Sequence, residues 1–210
     1  PVYAALLARS YDALKEVDPA IKVIGLGLSG RGNDLPQAPS NASTSPVRFL
    51  RDLGAAYRAS GRTLPLMDEL GLHLYPRSDR DPVSAGDRWP RAGIVNLTRI
   101  KQAFWDAFHG PAQPTIAESG KSFARPVRLD LDEVGWQVTI PTSLAGLYFG
   151  KETPSMRLID EPTQADYYAD AITMSECDPA VRMLSFFHLV DETDLDRWQS
   201  GLERADGSHR

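Results

Sequence analysis

The chain has 210 residues, a length that fits one domain of ordinary size. Hydrophobic residues make up 42% of it and charged residues 24%, as in ordinary globular proteins. The net charge of -5 gives no electrostatic reason to expect nucleic acid or an anionic membrane as a partner, and no apolar run is long enough to span a bilayer. The single cysteine excludes an internal disulfide and a cysteine metal cluster, and the compartment stays open between secreted and cytoplasmic.

Hydrophobic periodicity predicts helices and strands in alternation along the whole chain. Apolar residues at helical spacing predict helices over residues 3–17, 46–60, 97–108 and 160–177. Apolar or alternating runs predict strands within residues 21–28, 64–75, 129–136 and 182–189. This order is typical of an α/β fold, in which crossover helices connect the strands of a parallel sheet.

Three glycines after the first predicted strand match the G-x-G-x-x-G pattern of dinucleotide-binding proteins. They are Gly25, Gly27 and Gly30. In that fingerprint a helix starts at the third glycine, so that its N-terminus meets the pyrophosphate. Here a loop rich in proline, serine and asparagine continues to Ser45 instead. The sequence therefore does not predict a nucleotide site.

Residues 129–136 read Leu-Asp-Leu-Asp-Glu-Val-Gly-Trp, so that leucine alternates with aspartate before a glutamate and a Gly-Trp pair. Its alternation predicts a strand on which Leu129, Leu131 and Glu133 share one face, and Gly135 predicts a turn after it. An apolar face that finishes in a carboxylate indicates a packed barrel interior with an acid at its rim. Catalysis in (β/α)8 barrels lies at that rim. The alternative is a solvated glutamate at the end of a strand.

His73 and Tyr75 lie two residues apart at the end of the second predicted strand, so they point the same way. Such a pair can hydrogen-bond sugar hydroxyls or a carboxylate, although a structural histidine and a partly buried tyrosine fit the pattern equally well. Trp89 lies in the long polar loop 77–93. It could stack on a sugar, but we expect it to pack the loop onto the body of the protein.

Other catalytic classes find little support in the sequence. The acidic run 191–196 lacks the glycine and the glutamate that a calcium-binding EF loop needs at its sixth and twelfth positions, so we expect a solvated or substrate-facing loop. The four histidines show no H-E-x-x-H or H-x-H spacing, and no G-x-S-x-G elbow occurs. We therefore predict no metal and no cofactor, and neither a metal hydrolase nor a serine hydrolase.

Three motifs, in this order and spaced by whole βα units, resemble the C-terminal half of clan A glycoside hydrolases. Residues 73–75 (His-Leu-Tyr) resemble the end of their sixth strand, and residues 132–136 (Asp-Glu-Val-Gly-Trp) resemble their seventh-strand motif. Residues 186–188 (Phe-Phe-His), with the acidic loop and the stretch up to Ser208, resemble the eighth strand and its loop. The resemblance covers residues 1–210 and implies one partial (β/α)8 TIM barrel domain with strands 5–8 and helices 4–7, truncated at both ends.

The resemblance also implies a cellulase-like glycosidase with a retaining mechanism, in which Glu133 is the nucleophile. The residues that it implies for binding the carbohydrate substrate are His73, Tyr75, Trp136, Phe187, His188, Asp191 and Glu192. In the family the acid/base glutamate follows an asparagine at the end of strand four, and this chain has no Asn-Glu pair. We therefore expect the acid/base and the N-terminal half of the barrel outside this chain, and we expect the isolated chain to be inactive.

Two glutamates within the chain are alternative candidates for the acid/base residue. Glu69 lies within a predicted strand and Glu118 in a loop without a predicted position, so geometry favours neither. Two alternatives from other classes stay open: a non-catalytic carbohydrate-binding domain on the same kind of barrel, and a purely structural α/β domain. The sugar, the linkage and the choice between exo and endo cleavage are not predicted.

Overall fold

The computed structural model describes residues 1–116, 126–151 and 158–210. In these ranges, helices and strands alternate as the sequence predicts. The order is α1 (Val2–Val17), β1 (Ile24–Ser29), α2 (Pro46–Ala59), β2 (Glu69–His73), α3 (Leu97–Phe108), β3 (Arg128–Val134), α4 (Glu161–Glu176) and β4 (Val181–Phe186). Short 3-10 helices at Val83–Ala85, Ile94–Asn96 and Thr142–Leu147 lie in the loops. No helix of the described ranges is long and apolar enough to cross a membrane.

The strands form one four-stranded sheet in the order β1-β2-β3-β4, and each neighbouring pair is parallel. This confirms the predicted α/β class with a parallel sheet. Because all strands run the same way, their carboxyl ends meet at one edge, and the loops that follow them collect there. β1 and β4 form the two outer edges of the sheet.

Among the helices of the described residues, only α4 has a side-chain cap at its N-terminus. Asp160 provides this cap, because its side chain accepts a hydrogen bond from the Thr163 N–H at 3.0 Å. Asn96 precedes α3 but makes no side-chain cap. Its amide oxygen instead accepts from the N–H groups of Asp87 at 2.7 Å and Gly93 at 3.1 Å, which holds the preceding loop in place.

The hydrophobic core lies between the sheet and the helices. Leu70 and Leu72 of β2 and Leu129 and Leu131 of β3 are fully buried. The helices that cover this face contribute fully buried side chains at helical spacing, which are Leu50 and Tyr57 of α2 and Ile100, Phe104 and Phe108 of α3. Burial of this kind contributes roughly 1.5–3 kcal/mol for each large side chain, so this layer is the main source of stability.

A β-bulge in β3 changes which way its acids point. Gly71 of β2 pairs with Asp130 of β3. Two residues further along β2, His73 pairs with Glu133, which lies three residues beyond Asp130 on β3. The extra residue breaks the strict alternation of side chains along the strand. The prediction that Glu133 shares the face of Leu129 and Leu131 is therefore wrong, since the leucines enter the helix-covered core while Glu133 is half-buried and contacts His73.

The face of the sheet opposite the helices carries buried charge, not the packed apolar interior that the sequence indicates. Asp130 is 0% exposed and Glu69 is 4% exposed. Arg182 of β4 bridges them, with its guanidinium nitrogen 2.7 Å from Glu69 Oε2 and 2.7 Å from Asp130 Oδ2. Burial, and next the neighbouring Asp130, raise the pKa of Glu69 above its ordinary value of 4.5, while Arg182 acts in the opposite direction.

The raised pKa of Glu69 predicts how stability depends on pH. A carboxyl group with a raised folded-state pKa binds its proton more tightly when folded, so stability falls as pH rises from 4.5 through the raised value. Glu69→Gln removes this titration and keeps an acceptor for Arg182. We expect the free energy of unfolding of the variant, minus that of the wild type, to increase with pH across this window in urea titrations.

The control for this series is Glu16→Gln, which removes an exposed carboxylate at the end of α1. Its difference from the wild type should show no such increase. A difference for Glu69→Gln that stays flat or falls with pH would contradict the assignment of Glu69 as a destabilised buried carboxylate.

Candidate active site

The functional side chains that the sequence predicts at strand ends meet at the carboxyl edge of the sheet. His73 is the last residue of β2, Glu133 lies one residue before the end of β3, and Phe187 directly follows β4. Tyr75, two residues beyond β2, reaches back to Glu133. The parallel sheet therefore brings together residues that are more than fifty positions apart in the sequence.

Both oxygens of the Glu133 carboxylate have a partner. The Tyr75 hydroxyl donates a hydrogen bond to Oε1 at 2.5 Å, and the Nδ1 atom of His73 lies 3.0 Å from Oε2. Burial, followed by the hydrogen bond to Glu133 and the charge of that carboxylate, raises the pKa of Tyr75 well above its ordinary value. The hydroxyl therefore keeps its proton at neutral pH and stays a donor to the Glu133 carboxylate.

His73 lies between two carboxylates. Its Nδ1 faces Glu133, while its Nε2 is 3.6 Å from Oδ1 of Asp132, the extra residue of the β3 bulge. Asp132 Oδ1 is buried and has no hydrogen-bond partner among the described residues. The bulge thus places two successive acids around one imidazole, so the ring has a charged neighbour on each side.

Glycines give this arrangement its space. A Cβ atom at Gly27 would lie 3.0 Å from His73 Nε2, and a Cβ atom at Gly71 would lie 2.7 Å from Asp132 Oδ2. Gly30 similarly approaches the carbonyl oxygen of Ala92, which a Cβ atom would meet at 2.1 Å. Gly27 and Gly30 of the G-x-G-x-x-G match therefore lie where close packing leaves little room for a Cβ atom.

Three aromatic rings form a wall beside Glu133. Tyr75 and Phe187 make an edge contact with ring centroids 6.3 Å apart, and Trp198 lies 5.1 Å from Tyr75 and 5.6 Å from Phe187. The sequence predicts Tyr75 and Phe187 as site residues but misses Trp198. The signal available in the sequence was an aromatic residue in the loop after the last strand.

A polar cavity of about 470 Å³ adjoins this wall. Tyr75, Trp198 and Gly135 line it, and Glu133 is not among its lining residues. Its remaining walls come from the loops after the strands and are Arg31, Pro76, Arg77, Ser78, Asp79, Asp81 and Gln137. A cavity at the carboxyl edge of a parallel sheet is where ligands bind in α/β proteins.

Two predicted substrate-binding residues need correction. Trp136 is 1% exposed, its Nε1 donates to the Asp81 carbonyl at 2.9 Å, and its ring packs against tyrosines of α4, so no face is left for a sugar. Asp191 is 5% exposed, accepts hydrogen bonds from Gly201 N at 2.8 Å and the Tyr148 hydroxyl at 2.7 Å, and pairs with Arg210. These two side chains support the loops from within and do not line the site.

The other two predicted residues lie nearer the surface. Glu192 is exposed, and its carboxylate accepts a hydrogen bond from the backbone N–H of Trp198 at 2.9 Å, so it fixes the position of the tryptophan. His188 is half-buried beside Phe187, with ring centroids 3.5 Å apart. Its Nδ1 is buried without a hydrogen-bond partner in the described part of the chain. Substrate contacts of these residues stay predictions.

Neither substitute for the acid/base residue gains support. Glu69 begins β2 whereas His73 ends it, and at about 3.3 Å per strand residue the two lie roughly 13 Å apart. Glu118 lies outside the described residues.

Trp89 is 67% exposed, and the Arg99 guanidinium lies 5.7 Å from its ring. The expectation that Trp89 packs the loop onto the body of the protein is therefore wrong.

In residues 1–116, 126–151 and 158–210 no group of three or more His, Cys, Asp or Glu side chains could hold a metal ion.

Comparison with solved structures finds this fold in part of a family 39 glycoside hydrolase from the gut symbiont Bacteroides cellulosilyticus WH2. The match covers 99% of this chain and 34% of that one, at 19% identity and a TM-score of 0.55. The expected likeness to part of a glycoside hydrolase is thus confirmed for the fold alone, and the chain spans about a third of that protein. No protein-family model and no curated protein sequence matches the chain.

Two glucuronidases match less well. The β-D-glucuronidase of Dictyoglomus thermophilum matches over 69% of this chain and 21% of its own, with 11% identity and a TM-score of 0.40. A β-glucuronidase of Bacteroides uniformis matches over 82% of this chain and 20% of its own, with 12% identity and a TM-score of 0.39. The fold comparison therefore rests on the family 39 protein.

Gly27→Ala and Gly61→Ala form a matched pair that tests the packing around His73. Both glycines have left-handed φ angles, +60° and +66°, so each substitution should cost about 1–2 kcal/mol of unfolding free energy. Only at position 27 does the new methyl group contact the imidazole, since nothing lies within 4 Å of a Cβ atom at position 61. We expect only Gly27→Ala to move the NMR resonances of the His73 ring, and equal shifts in both variants would contradict this.

Proposed function

We propose that this chain is the nucleophile-bearing part of a retaining glycoside hydrolase. The observation that carries the proposal is the Glu133 carboxylate at the carboxyl edge of the sheet, held by the Tyr75 hydroxyl at 2.5 Å and by His73 at 3.0 Å. Ionised carboxylates oriented in this way serve as nucleophiles toward the anomeric carbon of a sugar. The fold shared with the family 39 protein supports this reading of the site.

In the proposed mechanism Glu133 attacks the anomeric carbon while a second carboxylic acid protonates the leaving oxygen. Water then releases the sugar, with the second group acting as base. The two carboxyl groups of a retaining enzyme lie about 5–5.5 Å apart. Tyr75 and His73 orient the Glu133 carboxylate, and the ring of Phe187 offers an apolar surface to the sugar.

We further propose that the acid/base residue comes from the N-terminal half of the same barrel, outside this chain. The outer strands β1 and β4 leave edges at which more strands can pair. Beside β4 lies a groove of about 360 Å³, lined by the apolar side chains of Ile172, Val181, Met183, Leu184 and Phe186 and by Ser175, Glu176 and Arg182. The next strand and helix of the other half of the barrel would cover this groove.

The test is hydrolysis of a panel of 2,4-dinitrophenyl glycosides by the full-length protein, followed by NMR of the first sugar anomer formed. We expect retention of configuration, and we expect Glu133→Gln to reduce kcat at least about a thousandfold, because an amide cannot replace the attacking carboxylate. Inversion would contradict the retaining mechanism. Unchanged hydrolysis by Glu133→Gln would exclude this residue as the nucleophile.

Tyr75→Phe tests how much the hydroxyl contributes to the same reaction. A hydrogen bond to a charged group contributes about 1.5–3 kcal/mol, so we expect kcat/KM to fall roughly 10- to 100-fold. The control is Tyr148→Phe, which also removes a tyrosine–carboxylate hydrogen bond, here the 2.7 Å contact with Asp191. It should change stability and leave the rate of folded enzyme within about threefold. Equal losses of rate in both variants would contradict a specific role of Tyr75.

One observation favours a second candidate, a carbohydrate-binding domain without catalysis. The cavity of about 470 Å³ does not count Glu133 among its lining residues, so a ligand could bind there without reaching the carboxylate. Under this alternative the full-length wild type hydrolyses no member of the glycoside panel, and Glu133→Gln binds sugars as the wild type does.

A further inference from the structure

The cavity next to the aromatic wall has no role in the mechanism described above. Its volume of about 470 Å³ is within the range of small-molecule sites. Each of the strand-end loops contributes to it, with Arg31 after β1, Asp79 after β2, Gln137 after β3 and Trp198 after β4. Tyr75 lines the cavity and also donates to Glu133, so this one ring separates the cavity from the carboxylate. The cavity is therefore a neighbouring compartment of the same site.

The charged side chains that line the cavity are two arginines and two aspartates, so their formal charges balance. Asp79 Oδ1 accepts a hydrogen bond from the Gln137 backbone N–H at 2.8 Å, which sets the direction of the carboxylate. Burial raises the pKa of Asp79, and the positive charge of Arg31 acts against this rise. Arg77 and Asp81 form an ion pair at 3.3 Å and neutralise each other. The cavity thus offers acceptors and donors without an excess of either charge.

Trp198 supplies an apolar surface to the same space. Its backbone N–H donates to Glu192 Oε2 at 2.9 Å, and its carbonyl accepts from the Glu192 N–H at 3.1 Å. Its ring is held by Tyr75 and Phe187. An aromatic face that shares a cavity with hydrogen-bonding groups fits a ligand with an apolar C–H face and a rim of hydroxyls, which is the chemistry of a pyranose ring.

We propose that this cavity is a second sugar subsite, which takes an uncharged pyranose ring stacked on Trp198 and hydrogen-bonded to Asp79 and Arg31. The proposal rests on the proposed function, because this ring is the neighbour of the one that reacts at Glu133. An uncharged ring fits better than a uronic acid, because Arg77 is paired with Asp81 and the charge of Asp79 offsets that of Arg31, so no net positive charge is left to bind a carboxylate. The substrate is then an oligosaccharide of neutral sugars.

The test measures binding by isothermal titration calorimetry to full-length Glu133→Gln protein, which cannot consume the ligand by hydrolysis. The probes are cellobiose, lactose and β-1,4-mannobiose, each compared with its counterpart oxidised to a carboxylate at C6 of both rings. We expect at least one neutral disaccharide to bind, and its oxidised counterpart to bind about tenfold or more weakly. Adding Asp79→Asn should reduce this difference, because asparagine keeps the acceptor for Gln137 and loses the charge.

Trp198 is tested in the same Glu133→Gln background. Trp198→Ala should weaken binding of the neutral disaccharide about tenfold, and Trp198→Phe, which keeps an aromatic face, should weaken it less. The matched controls are Trp89→Ala, at an exposed tryptophan outside the cavity, and Asp52→Asn, at an exposed carboxylate on α2. Both controls should bind as the parent does, and circular dichroism confirms that each variant is folded.

The outcomes separate the subsite from the proposed function. The subsite is overturned if no neutral disaccharide binds the folded protein, if Trp198→Ala and Trp198→Phe bind as the parent does, or if the oxidised counterparts bind more tightly. If glycoside hydrolysis depends on Glu133 but disaccharide binding is unchanged in the Trp198 variants, only the subsite proposal fails. If the wild type hydrolyses nothing and disaccharide binding still depends on Trp198 and Asp79, the sugar-binding cavity stands and the catalytic proposal fails.

Discussion

The extra residue in β3 is the constraint on which the candidate site depends. A regular strand would continue the alternation of Leu129 and Leu131 and would direct Glu133 into the helix-covered core. Because three residues of β3 lie opposite two of β2, Glu133 instead pairs with His73 and accepts a hydrogen bond from the Tyr75 hydroxyl. Bulges are frequent next to active sites because they redirect one side chain without disturbing the strand before it. Here the leucine core and the carboxylate coexist on one short strand for this reason.

The two faces of the sheet have opposite character, and this division connects stability with function. The helix-covered face buries the leucines of β2 and β3 and stabilises the fold. The opposite face carries Glu69, Asp130 and Arg182 toward the amino ends of the strands. At the carboxyl edge it carries Asp132 and Glu133, the two acids around His73. Buried carboxylates cost stability unless they are paired, so each acid of this face has a cation, a hydroxyl or an imidazole nearby. The site is thus the end of a polar layer and not an isolated acid on an apolar surface.

Much of this architecture follows from sequence patterns that act locally. Periodicity predicts the helices and the strands, and parallel strands bring His73, Tyr75 and Glu133 to one edge. The bulge was not predictable, because it depends on how β3 pairs with β2 and not on the sequence of β3 alone. The burial of Trp136 and Asp191 was missed for a similar reason: their partners, α4 and Arg210, come from later parts of the chain. Trp198 and Asp79 belong to irregular loops, where no periodicity indicates direction.

The central claim is that the Glu133 carboxylate reacts covalently with the anomeric carbon. Its most direct test is to incubate the full-length protein with 2-deoxy-2-fluoro glycosides that carry a dinitrophenolate leaving group, which needs no general acid, and to map the labelled peptide by mass spectrometry. The account predicts one sugar adduct, on Glu133, and the sugar that labels identifies the substrate class. An adduct on a different carboxylate, or active enzyme that acquires no adduct from any sugar it hydrolyses, would contradict it.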